Sequence, residues 1–98
     1  MTLGLIVRPL AERDIRAAHS HYERERPGLG IQFEEALNSA IARILEYPMT
    51  YSRAHRDVRR VVLERFPYGL FYRIRGNMVH VLAVKHLSRH PSRWQRRG

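Results

Sequence analysis

Cysteine is absent from this 98-residue sequence, so disulfides, thiolate nucleophiles and cysteine-based metal sites are excluded. Lysine occurs once, as Lys85, and tryptophan once, as Trp94. No apolar run approaches the ~18 residues of a membrane span. The opening MTLGLIVRPLAERD reaches Arg8 too early for the apolar core of a secretory signal. The expectation is a soluble, cytoplasmic protein that does not associate with membranes. Repeats and linkers are also missing, and the length leaves no room for a second domain. Residues 1–98 are read as one domain with a short basic tail from about residue 87. A hydrophobic share of 44% is ample for a packed core and too high for a disordered chain.

Acidic residues are scarce, and their distribution carries more information than the net charge of +9. Residues 1–52 hold six arginines against seven acids, whereas residues 53–98 hold eleven arginines and Lys85 against only Asp57 and Glu64. A basic half of this kind suits a polyanion or an acidic protein, because arginine offers planar paired donors to phosphate or carboxylate. A codon bias toward arginine is the alternative, but a uniform bias does not produce asymmetry between halves.

Periodicity supplies the element order. Leu3 to Val7 is a short run rich in branched residues and reads as a strand, and Pro9 suits the first turn of a following helix. Ala11, Ile15, Ala18 and Tyr22 recur at helical spacing, with Glu12 and Asp14 early and Arg24 and Arg26 late, matching the helix dipole. Pro27-Gly28 and Gly30 break that pattern. A second helix follows with Phe33, Leu37, Ala40, Ile41 and Ile44 on one face, stopped by Pro48. Residues 49–57 read as a loop in which Tyr51 is a candidate start for a short edge strand.

From Arg59 to Phe66 the period becomes two, with Val61, Leu63 and Arg65 opposing Arg60, Val62, Glu64 and Phe66. After Pro67, Leu70, Tyr72 and Ile74 alternate with Phe71, Arg73 and Arg75. Gly76-Asn77 marks a hairpin turn. The last strand, Met78 to Lys85, sets Val79, Val81 and Ala83 against His80, Leu82 and Val84, and two apolar faces suit a central position. The predicted fold class is α+β in the order β-α-α-β-β-β, with an antiparallel helical hairpin packed on one face of a small twisted antiparallel sheet.

This order, with Ala11, Asp14-Ile15, Tyr22, Phe33, Leu37, Pro48, Arg59, the Phe66-Pro67-Tyr68 corner, Tyr72-Arg73 and His86 followed by Arg89, resembles toxins of the RelE/ParE superfamily of type II toxin-antitoxin systems. The likeness covers almost the whole chain. It implies that fold, together with a cognate antitoxin whose acidic and apolar residues cover the arginine-rich surface. It does not fix the target, because branches of the superfamily poison different machinery. The ParE-like branch is taken to inhibit DNA gyrase by binding. RelE-like members resemble ribosome-dependent messenger RNA endoribonucleases, which need no metal.

Candidate residues divide along the same line. For a nuclease, Arg59, Arg73 and His86 are the candidate catalytic residues, with cations stabilising the phosphorane and His86 exchanging protons near neutral pH. His86 is otherwise a hydrogen-bonded histidine at a strand end. For target or antitoxin contact the candidates are Arg59, Arg60, Arg65, Arg73, Arg89, Arg93 and Trp94. Arg59 and Arg60 equally fit a solubilising pair, and Trp94 either stacks on a base or anchors the tail. His86 and His90 lack a third ligand in sequence, so no metal or other cofactor is expected. Nuclease members are expected to carry a tyrosine near the last strand, and no tyrosine follows Tyr72. That departure places the chain nearer the ParE-like branch, with gyrase as the expected target; the ribosome and messenger RNA belong to the alternative.

Overall fold

Pro9 opens the first helix because its fixed φ fits a first turn and its missing N–H would have had no partner there. The computed structural model describes residues 3–88. After strand β1 (Gly4–Val7), helix α1 runs Pro9–Glu25 and buries Ala11 and Ala18, with Ile15 and Tyr22 packed beside them. Arg26 ends it, donating its N–H to Tyr22 O at 3.1 Å.

Helix α2 (Leu29–Glu46) begins without a capping side chain of its own, since its N-cap is Gly28 in the left-handed region at φ 89°. Glu23 of α1 substitutes: its carboxylate accepts the N–H groups of Gly28 at 3.0 Å and Gly30 at 3.1 Å. These bonds hold the Glu23 carboxyl below its ordinary pKa. Their contribution is present above the ordinary carboxylate range and fades as pH falls through the lowered value. Gly30 also allows the helices to touch, because a Cβ there would stand 2.9 Å from His19 O. The buried face of α2 is Phe33, Ala36, Leu37, Ala40 and Ile44.

The remaining strands are β2 (Arg53–His55), β3 (Val58–Val62), β4 (Tyr68–Arg75) and β5 (Met78–His86). They form with β1 a five-stranded sheet in the order β1-β5-β4-β3-β2. The α+β class, the helical hairpin and the central place of the last strand agree with the sequence reading. Two features differ. The sheet is mixed rather than wholly antiparallel, because β1 runs parallel to β5. It also gains β2, inside the stretch read as a loop with Tyr51 as candidate start of a short edge strand; the edge strand is there but begins at Arg53, and three residues paired on one side are too few to show alternation.

Alternation fails at two other points, each for a local reason. β3 stops at Val62, and Arg65 takes a left-handed φ of 67°. Phe66 is thereby turned into the helix-side core with Val61 and Leu63 rather than onto the opposite face. In β5, Ala83 pairs with Phe71 and Val81 with Tyr72, so Leu82 is an extra residue. This β-bulge shifts the phase: Val79, Val81 and Val84 join the main core, while Leu82 and Ala83 lie with Val58 and Phe71 in a second cluster.

The main core is organised by rings. Tyr22 stacks on Phe33 at 5.6 Å and meets Phe66 edge-on at 4.9 Å, and Phe33 meets Tyr68 at 5.2 Å. Among the described residues, no helix is long and apolar enough to cross a membrane.

Candidate functional site

The helix-free face of the sheet carries Arg60 and Arg73 beside an apolar cluster of Val58, Phe71, Leu82 and Ala83. Tyr72 and Val61 belong to the helix-side core, so their neighbours Arg73 and Arg60 fall on the other face. Arg73 sits between His80 on β5 and the β2–β3 turn, where Asp57 accepts from its Nη2 at 3.2 Å and from Arg75 Nη1 at 2.6 Å. The Arg75 hydrogen bond, with the charge of Arg73 behind it, lowers the Asp57 pKa against a desolvation effect that raises it. Asp57 is one of only two acids in the basic half. It was not singled out from sequence, although that rarity was a usable signal.

Arg60 is exposed opposite Phe71, and its stem lies over Gly69, whose missing side chain leaves room for it and for Leu87. Arg65 is exposed at the β3–β4 corner. Asp14 is a second residue that sequence did not single out for this role. Its carboxylate accepts the Val84 N–H at 3.0 Å and pairs with Lys85 Nζ at 2.9 Å, closing the flank of β5 beyond β1.

Arg59 faces the helix side instead. Its Nη1 donates to Tyr51 O at 2.6 Å and Met49 O at 3.3 Å, while the Tyr72 hydroxyl donates to Pro48 O at 2.6 Å. Together they hold the segment between α2 and β2. Burial pushes the Tyr72 hydroxyl up to about 12, against a lowering by Arg59. A raised tyrosine pKa means the folded state retains a proton that the unfolded state releases near 10.0. The resulting stability is fully present below pH 10.0 and is lost as pH rises through about 12. Urea unfolding across this window is expected to show the decline, and Tyr72→Phe to reduce it. At neutral pH the same variant is expected to cost about 1 kcal/mol through the lost hydrogen bond.

His86 closes β5 opposite Tyr68, whose ring it meets edge-on at 5.3 Å. Its Nδ1 accepts the Ser88 N–H at 3.2 Å and lies 2.9 Å from Ser88 Oγ. An accepting Nδ1 assigns the proton of the neutral ring to Nε2. The candidate trio is therefore not brought together. Arg59 and Arg73 point to opposite faces, and His86 lies five ladder positions from Arg73, roughly 15 Å along β4. Arg60 and Arg73 do share a face. Arg89, His90, Arg93 and Trp94 lie outside the described residues.

Residues 5–91 match the family model described as the ParE toxin of the type II toxin-antitoxin system parDE. A solved structure with a similar fold comes from the chromosomal ParDE TA system of P. aeruginosa. The two superpose with a TM-score of 0.79 at 19% identity, over 89% of this chain and 98% of that one. No curated protein matches the sequence. The two-helix, mixed-sheet architecture and a sequence match running from β1 past the end of β5 converge: the chain belongs to the ParE toxin family of type II toxin-antitoxin systems.

Proposed function

We propose that the protein inhibits growth by binding DNA gyrase, and that a cognate acidic antitoxin neutralises it by covering its basic surface. The observation that carries a binding mode of action is the dispersal of Arg59, Arg73 and His86. Acid–base cleavage of RNA needs its groups within hydrogen-bond reach of one phosphodiester. Here Arg59 supports a loop, Arg73 faces the opposite side of the sheet, and His86 accepts from Ser88. The helix-free face offers exposed Arg60, with Arg65 at the corner, as contacts for gyrase or for antitoxin carboxylates, while Arg73, only 13% exposed and paired with Asp57, lies behind them. Arg89, Arg93 and Trp94 extend the candidate contact set, and the antitoxin segment is expected to order as it binds.

Purified toxin is expected to block supercoiling of relaxed plasmid by gyrase, and added antitoxin to restore it. The same toxin is expected to leave messenger RNA intact on programmed ribosomes. Message cleavage with unaffected supercoiling would move the protein to the endoribonuclease reading, and no response in either assay would remove both. Arg60→Glu is the variant of choice for contact, because it reverses an exposed charge without disturbing the loop that Arg59 holds.

A further inference from the structure

The sheet is apolar on both faces, and the helices cover only one. Helices α1 and α2 pack against Val61, Leu70, Tyr72, Val79, Val81 and Val84. On the other face Val58, Phe71, Leu82 and Ala83 form a second cluster, none of them more than 4% exposed. A sheet face left to water turns polar residues outward, whereas burial of this degree is typical of a face that carries a cover. Arg73, tied to Asp57, bounds the cluster at one end. Leu82, the extra residue of the β5 bulge, also walls a cavity of about 150 Å³ with Arg8, Pro9 and Leu10, which continues the apolar surface toward β1.

A path onto this face starts at the end of β5. Leu87 donates its N–H to Pro67 O at 2.9 Å, and its side chain lies over Gly69, where a Cβ would stand 3.0 Å from Leu87 Cδ2. Gly69 alternates with Tyr68 and Leu70 of the main core and so faces away from the helices. The chain is thus already on the helix-free side at Leu87, and it turns at Ser88, whose N–H bonds to His86 Nδ1 at 3.2 Å. Val62, opposite Gly69, is 44% exposed and Leu87 is 41% exposed, an apolar approach leading from this corner toward Phe71. Residues 89–98 follow, and Trp94 is their one large apolar side chain. Trp94 stands seven residues past Leu87, a reach of up to ~25 Å. Leu82 is five residues back along β5, roughly 16 Å.

We infer that residues 89–98 return across the helix-free face and that Trp94 closes the cluster of Val58, Phe71, Leu82 and Ala83. An indole offers roughly 150–250 Å² for burial and packs favourably on the ring of Phe71. Charge opposes the arrangement, because Arg89, Arg93, Arg96 and Arg97 approach Arg60 and Arg73. That repulsion is screened over about 8 Å at physiological salt. Attachment through Ser88 favours it, giving the tail an effective concentration on the order of millimolar. A second copy of the chain would bring the same charge without the tether. The returning tail sets Arg89 and Arg93 on the same face as Arg60, with Trp94 as their anchor. The inference concerns the free chain and does not depend on which machinery the toxin binds.

Trp94 is the only tryptophan, so its fluorescence tests the inference on the full-length free protein. Its emission is expected to be blue-shifted from that of the urea-unfolded chain, with quenching by neutral acrylamide severalfold weaker. Both are expected to be independent of protein concentration and to hold or strengthen as salt rises, since salt screens the opposing arginines. Nuclear Overhauser contacts are expected between the indole and the Phe71 ring and Ala83 methyl. Trp94→Ala is expected to raise binding of anilinonaphthalene sulfonate severalfold by opening the face, and Trp94→Phe to restore most of the protection.

An indole as accessible to acrylamide in the folded protein as in urea overturns the inference. So do indole contacts to the helices in place of Phe71 and Ala83, a result that stands even if a variant fails to fold. Protection that grows with concentration would assign the face to a second copy, and protection that arises only on adding antitoxin would assign it to that partner. Either outcome also overturns the tail as its cover, while the toxin–antitoxin reading is untouched by all of them.

Discussion

Phe33→Ala is expected to lower the free energy of unfolding by about 3–5 kcal/mol, a large share of the ~5–15 kcal/mol typical of a domain. Phe33 is fully buried and joins both helices to the sheet. It stacks on Tyr22 of α1 and meets Phe66 at the β3–β4 corner at 5.4 Å and Tyr68 of β4 at 5.2 Å. Removing the ring costs its burial and leaves a cavity that three other rings cannot all close without abandoning their edge-on geometry. Urea denaturation followed by far-ultraviolet circular dichroism would measure the change. A loss below about 1 kcal/mol would mean that the surrounding rings collapse into the space and that the cluster is not the keystone of the core.

Asp14→Ala is expected to cost about 2–3 kcal/mol, because it abandons two partners at once. The Asp14 side chain is only 9% exposed and receives both the Val84 N–H and the Lys85 ammonium. Alanine would leave a main-chain donor on a buried strand residue without its carboxylate and an ammonium without its counter-charge. Asp14→Asn keeps an oxygen for Val84 and loses the ion pair, so it should fall between wild type and alanine. If the two variants were equally destabilised, the ion pair would dominate; if asparagine matched wild type, the Val84 bond would. Amide exchange at Val84 offers a local readout, since opening of this flank would accelerate it before the rest of β5.

Much of this architecture was legible along the chain. The apolar stripes of α1 and α2, the Pro/Gly break between them and the hairpin at Gly76-Asn77 all depend on contacts within a few residues, which spacing reports directly. The same holds for the arginine-rich second half. Alternation succeeded in β4, where Leu70, Tyr72 and Ile74 lie toward the helices and Phe71 and Arg73 away. It failed in β5, because a bulge is a two-against-one count between strands and leaves no trace in one strand's pattern.

The candidate site was less legible for the same reason. Arg59, Arg60 and Arg73 are equivalent as letters, yet Arg59 holds the backbone of Tyr51, Arg73 is tied to Asp57 and Arg60 remains exposed. Which face an arginine takes follows from the register of β3 on β4, a relation between residues more than ten positions apart.

By itself the sequence determined the class of fold, the helical hairpin, the faces of most elements, the charge asymmetry and the resemblance to a toxin family, because these are written in local periodicity and composition. Only the tertiary structure decided that β1 lies parallel to β5, that Leu82 bulges to wall a cavity beside Arg8, and that Arg59, Arg73 and His86 stand apart. Those outcomes come from pairing between distant segments, where one residue of register moves a side chain from one face of a sheet to the other.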